Sequence, residues 1–132
     1  MKQAIVGAAS YNPSKKKGSA TWTKNIQAAV QIVDPIIIEG IKPGDVKCEA
    51  VKMTSDGKPA RFSKGSRVTR RYPRIDPGWV AQATILVLDE SIPNEVMEQA
   101  LGDAGVFVGL GRWRAEKGGL YGRFQVAKKK WS

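Results

Sequence analysis

Residues 79–104 read WVAQATILVLDESIPNEVMEQALGDA, and the two halves of this stretch follow different periods. In the first half Trp79, Ala81, Ala83, Ile85 and Val87 share one face, and Val80, Gln82, Thr84, Leu86 and Leu88 the other, which is the period of a strand. Both faces become apolar toward Leu88, so the strand is expected at the centre of a sheet. In the second half Ile92, Val96, Ala100 and Ala104 recur at i+4, with Met97 and Leu101 beside them. That stripe marks an amphipathic helix of about 12–15 residues, ending near Gly105 or Gly109 and packed on the sheet. Ser91 is its expected N-cap, Pro93 suits the first turn, and Glu90, Glu95 and Glu98 suit the positive end of the helix dipole.

Downstream, residues 109–124 read GLGRWRAEKGGLYGRF. Gly109, Gly111, Gly118, Gly119 and Gly122 sit among Arg112, Arg114, Lys117 and Arg123, with Trp113, Tyr121 and Phe124 interleaved. Glycine lets a backbone approach a ligand closely or adopt positive φ, and loop amides can hold phosphate oxygens. Arginine and lysine add charge, and aromatic faces stack on unpaired bases. The G-x-G at Gly109 follows a helix instead of a strand, so it is no dinucleotide fingerprint, and no G-K-[ST] closes a P-loop. The structural alternative is a glycine-rich hairpin leading into a last strand at residues 123–129, RFQVAKK. The order strand, helix, glycine loop, strand is half of a ferredoxin-like unit.

Upstream, residues 26–41, IQAAVQIVDPIIIEGI, are β-branched and apolar, with Asp34-Pro35 in the middle. Two short strands or one bent strand are expected, with Ile36-Ile37-Ile38 as a buried run. Lys42-Pro43-Gly44-Asp45 is a turn, and Val46 to Met53 alternates as a further strand, in which Cys48 is a small apolar residue. Residues 54–77 carry five glycines and prolines and little apolar content, so they are expected to form a basic loop or arm inserted in one domain spanning 1–132. The opening Met1–Ser10 reads as a short strand or ordered arm. Its apolar part is too short for a signal peptide, and no stretch reaches a spanning length, so no membrane partner is expected and a cytoplasmic site is.

The chain of 132 residues has 22 Lys and Arg against 12 Asp and Glu, a net charge of +10. Residues 58–74 hold Lys58, Arg61, Lys64, Arg67, Arg70, Arg71 and Arg74 and no acid. Residues 75–111 hold six acids and no base, and 112–132 hold seven bases and one acid, Glu116. Such segregation differs from the mixed signs of a merely solvated surface. It points to a polyanion partner, with both basic blocks expected to line one groove. The absence of histidine removes imidazole-based acid–base chemistry and imidazole zinc sites. A single cysteine excludes an internal disulfide and a multi-thiolate metal site. No cofactor or metal is expected.

Strand, helix, Gly109-Leu110-Gly111-Arg112-Trp113-Arg114, a basic glycine cluster and Gly122-Arg123-Phe124 together resemble the RAMP superfamily, the RNA-binding and RNA-processing proteins of CRISPR systems. The resemblance covers Trp79 to Lys129. It implies an α+β, ferredoxin-like (RRM-like) sandwich with a mostly antiparallel sheet, one clear helix and a long basic insertion acting as a thumb. It also implies contact between the glycine loop and an RNA backbone. A phage or mobile-element relative coating single strands is a variant of the same reading.

Three functions follow. The first is a non-catalytic single-strand binder in which Arg61, Lys64, Arg67, Arg70, Arg71, Arg74, Arg112, Arg114, Lys117 and Arg123 hold phosphates. Gly109, Gly111, Gly118 and Gly119 would bring the backbone close, and Trp113, Tyr121, Tyr72 and Phe62 would stack, with oligomerisation along the strand open to it. The second is a nuclease using Asp89-Glu90, against which stands a helix-capping role for the same residues. The third is a phage structural or inhibitor-type protein docking on an acidic protein.

Overall fold

A computed structural model describes residues 1–12, 20–54 and 67–132, in two compact units, Met1–Pro35 with Thr84–Ser132 and Ile36–Ala83. In chain order the elements are α1 (Lys2–Ala8), α2 (Thr23–Ala29), β1 (Val30–Ile32), β2 (Ile37–Ile38), β3 (Lys47–Thr54), β4 (Arg67–Arg74), β5 (Ala81–Gln82), β6 (Ile85–Val87) and α3 (Asn94–Asp103). The architecture is mixed α+β with small antiparallel sheets, each of two strands among the described residues.

The first unit holds the core. Ile5, Ile26, Val30, Met97 and Val108 are its largest fully buried side chains. Two of its helices correct the sequence reading. The opening segment is α1, not a strand, and α2 occupies residues 23–29, so the β-branched run begins as strand only at Val30. Alanine explains both: Ala4, Ala8, Ala28 and Ala29 have the highest helix propensity. Their neighbours Ile5 and Ile26 are fully buried in the shared cluster. There are therefore three α-helices among the described residues where one was expected.

The downstream helix is where its stripe placed it. Ile92, Val96, Ala100 and Ala104 are all buried. Its first turn begins later than expected, because Pro93 and not Ser91 is the N-cap. Ser91 instead donates its amide (2.9 Å) and hydroxyl (2.6 Å) to Asp89 Oδ1, closing a tight turn after β6. β6 pairs with β1 in the register Val30↔Val87, Gln31↔Leu86, Ile32↔Ile85. The single strand read over residues 79–88 is instead two short ones, β5 and β6, in different sheets, although the alternation is present, with the odd-numbered positions half-buried and the even-numbered ones exposed. The central location is not: among the described residues each strand has one partner, and Leu86 and Leu88 face water.

The expected last strand at 123–129 is absent. Its neighbours are α3 and the turn that follows, which offer no ladder, so Phe124 N donates to Gly105 O (3.3 Å) as a lone backbone bond. Farther on, Lys129 Nζ and Trp131 Nε1 both donate to the Glu98 carboxylate, the latter at 3.0 Å. Lys129 is thus tied to α3.

The second unit is a ribbon. β2 pairs with β5 (Ile37↔Gln82, Ile38↔Ala81), and β3 pairs with β4 along its whole length, from Lys47↔Arg74 to Thr54↔Arg67. Asp34-Pro35 separates β1 from β2 as expected, and Pro43–Asp45 forms a 3₁₀ turn at the foreseen position. Two expectations change. Residues 67–74 are strand instead of loop, since Val68, Thr69 and Tyr72 suit a pleated ribbon, and Pro73 is tolerated because β4 has a partner on one side only among the described residues. The isoleucine run is not buried, with Ile37 70% exposed. Cys48 lies in β3 as read, but exposed. No described residue of this unit is buried.

Candidate functional site

The glycine-rich segment belongs to the first unit and is built on an unusual helix end. After α3, residues Ala104–Val108 form a π-helical turn, closed by Gly109 N donating to Ala104 O at 2.7 Å. Gly109, at φ +76°, reverses the chain into the loop. Leu110 N donates to Gly122 O (2.9 Å), and Tyr121 N donates to Trp113 O (3.2 Å), so the loop is a closed lobe with a defined neck. At its tip Ala115–Lys117 is a 3₁₀ turn ended by Gly118 in the left-handed conformation.

Within the lobe itself, two glycines are required by close approach. A Cβ on Gly119 would stand 1.6 Å from Trp113 O, and one on Gly122 would stand 1.9 Å from Leu110 O. These positions serve the lobe's own packing, and much of its amide capacity is likewise internal. Lys117 and Gly119 donate to Arg114 O, and Gly118 to Ala115 O. The amides of Gly111 and Trp113 donate to no backbone carbonyl among the described residues.

The side chains differ in how far they are drawn into the lobe. Arg114 donates to Glu116 Oε2 through Nε (3.0 Å) and Nη2 (2.8 Å), and to Gly111 O through Nη1 (3.4 Å). It therefore staples the lobe through the one acid in the basic block. Arg112, Lys117 and Arg123 are exposed, and Arg123 Nε donates to Val106 O at 3.3 Å. Trp113 has φ +51°, the one non-glycine residue of positive φ among the described residues, and its ring lies 6.2 Å from that of Tyr121 at 32°. Holding a bulky residue there costs about 1–2 kcal/mol. Such strain persists where the surroundings impose it and is common at binding sites.

The β4 arginines belong to the second unit. Arg74 is paired with Glu49 (3.4 Å) and Asp76 (3.0 Å). Arg70 and Arg71 are exposed, stand opposite Val51 and Ala50 in the register, and have no ion pair among the described residues. Arg67 opens β4, and Tyr72 is half-buried opposite Glu49. Arg61, Phe62 and Lys64 lie outside the described residues. The residues expected in one groove thus fall into two sets, the lobe in one unit and β4 in the other.

Asp89, the candidate nuclease acid, accepts from Asn25 Nδ2 (2.9 Å) through Oδ2 and from Ser91 through Oδ1. It is a brace between α2 and the turn before α3. No group of three or more metal-ligating side chains gathers among the described residues. No helix of the described residues is long and apolar enough to cross a membrane. No protein-family model, curated protein or solved structure matches the chain.

The sequence reading missed one feature of this surface. Tyr11, at the end of the first helical segment, stacks on Phe107 of the π-helical turn, with ring centroids 5.1 Å apart and planes at 29°. The two are 96 positions apart, and no local pattern could have joined them.

Proposed function

We propose that the protein is a non-catalytic binder of single-stranded nucleic acid, RNA ahead of DNA. The β4 arginines and the lobe cations Arg112, Lys117 and Arg123 hold phosphates, and Trp113 and Tyr121 stack on bases. The observation that carries this reading is the Arg70–Arg71 pair. Consecutive strand residues face opposite sides, so each face of the ribbon presents a guanidinium with no acid across from it. Cross-strand ion pairs stabilise such ribbons, and Arg74 shows that this ribbon can make them. Arginines left open twice in succession suit an external anion, and arginine suits phosphate in particular.

The net charge of +10 gives the electrostatic reach for such a partner. The preference for RNA rests on the resemblance to RAMP proteins, as does a ferredoxin-like relationship for α3, the lobe and the returning segment. Assembly of several copies along one strand and a cytoplasmic site belong to the same proposal.

Fluorescence anisotropy with matched single-stranded RNA, single-stranded DNA and duplex at two salt concentrations tests it. Log K is expected to fall by about 0.7 per phosphate contact for each decade of salt on single strands. Arg70→Ala with Arg71→Ala is expected to weaken binding and reduce that slope by about 1.4, with the fold unchanged. Weak binding of every oligonucleotide at low salt, or an unchanged slope in the folded double variant, defeats the reading. Capture of an acidic protein in the absence of any oligonucleotide affinity would favour a docking protein instead.

A further inference from the structure

The π-helical turn has a use that the lobe does not explain. Its wide spacing keeps Ala104, Gly105 and Val108 buried while Val106 and Phe107, consecutive in sequence, both face water. Such turns insert one residue into a helix and are frequent at functional sites. Phe107 is 49% exposed and Tyr11 54% exposed, although they stack on one another. Half of each residue is therefore still in water, and a further planar ring would remove apolar surface that the fold leaves uncovered.

The surroundings suit a base with a phosphate attached. Arg123 is anchored to the carbonyl of Val106, the residue before Phe107, and is exposed without an acidic partner among the described residues. The backbone here is held firmly. Phe124 N donates to Gly105 O, and a Cβ on Gly105 would stand 2.0 Å from Phe124 O, so only glycine allows the returning chain to cross the turn at this point. Leu110 N–Gly122 O closes the other end of the same neck. Phe107 and Arg123 therefore sit on the two chain segments of one hydrogen-bonded neck, at the base of the lobe that carries Trp113 and Tyr121.

We infer that Tyr11 and Phe107 form a second base-stacking platform, which takes an unpaired nucleobase while Arg123 holds the adjoining phosphate. The inference rests on the proposed single-strand binding and adds to it a specific place where a base, and not only a phosphate, is recognised. Stacking on aromatic side chains is indifferent to base identity but requires a base.

The test compares oligouridylate with an abasic oligonucleotide of the same length and charge, at two salt concentrations, on the full chain and on Phe107→Ala and Tyr11→Ala. The unmodified chain is expected to bind oligouridylate about tenfold or more tighter than the abasic strand. Each variant should lose a clear part of that preference, the remainder belonging to Trp113 and Tyr121, whereas the abasic affinity and the salt slope stay unchanged. Trp113→Ala should leave a part of the preference that a second substitution, Phe107→Ala, removes. Equal affinity for both strands overturns the platform while leaving phosphate binding intact. So does a preference that is undiminished in both variants, or a loss of self-association in Phe107→Ala without any change in base preference. Absence of binding to either strand at low salt overturns the single-strand reading itself, and the platform with it.

Discussion

At the scale of single residues, the lobe separates two costs that glycine avoids. Gly111 and Gly122 share φ +78°, but a Cβ at Gly111 meets nothing within 4 Å, whereas at Gly122 it meets the Leu110 carbonyl. Gly111→Ala is expected to destabilise by the left-handed penalty alone, about 1–2 kcal/mol. Gly122→Ala should lose distinctly more, because backbone must also move. Thermal denaturation of the two variants checks the difference, and equal losses would show that the neck yields easily. Glu98 provides a pH-dependent contact. Its hydrogen bonds from Lys129 and then Trp131 hold the carboxyl below its ordinary value of 4.5. A depressed carboxylate stabilises the docked tail above that ordinary value and loses the effect as pH falls through the lower folded one. The Trp131 indole N–H resonance is therefore expected to shift in acid, below about pH 4.5, and Glu98→Gln should abolish the titration.

At the scale of elements, legibility followed length and period. α3 was visible because four positions, Ile92 to Ala104, repeat over three turns, and all four are buried. α1 and α2 have seven residues each, two turns, too few for a 3.6 period to stand out against β-branched neighbours. In residues 123–129 the sequence alternates as a strand would. Phe124 does pack against the core, but the surface it meets is helical, and alternation cannot tell one kind of neighbour from another. The glycine lobe was legible as a loop of charge and aromatic rings. Its internal bonding was not, since nothing in the spacing shows that Arg114 reaches back to Glu116 and Gly111. Breaking that staple with Glu116→Gln should weaken the ordering of the lobe while adding to its positive charge. Faster amide exchange at Gly119 and Tyr121, with Tm nearly unchanged, is the expected outcome, because exposed ion pairs contribute about 0–1 kcal/mol.

At the scale of the whole molecule, the fully buried apolar side chains among the described residues all belong to one of the two units. Ile26→Ala empties a fully buried site and is expected to cost about 2–5 kcal/mol in chemical denaturation. Arg70→Ala and Arg71→Ala should leave that transition in place. Native-state exchange should show amides of β3 and β4 opening well before those of α3, since an isolated two-stranded ribbon is marginal in water. A ribbon as well protected as α3 would point to a partner surface. The charge pattern, by contrast, could be read without any fold, because it depends only on composition along the chain.

β3 and β4 each leave one backbone edge without a strand beside it among the described residues. Lone guanidinium groups on such a ribbon discourage a second ribbon from annealing there. Neutralising those groups would lift the deterrent, so occupancy by a polymer of phosphates and zippering between copies become a single coupled equilibrium.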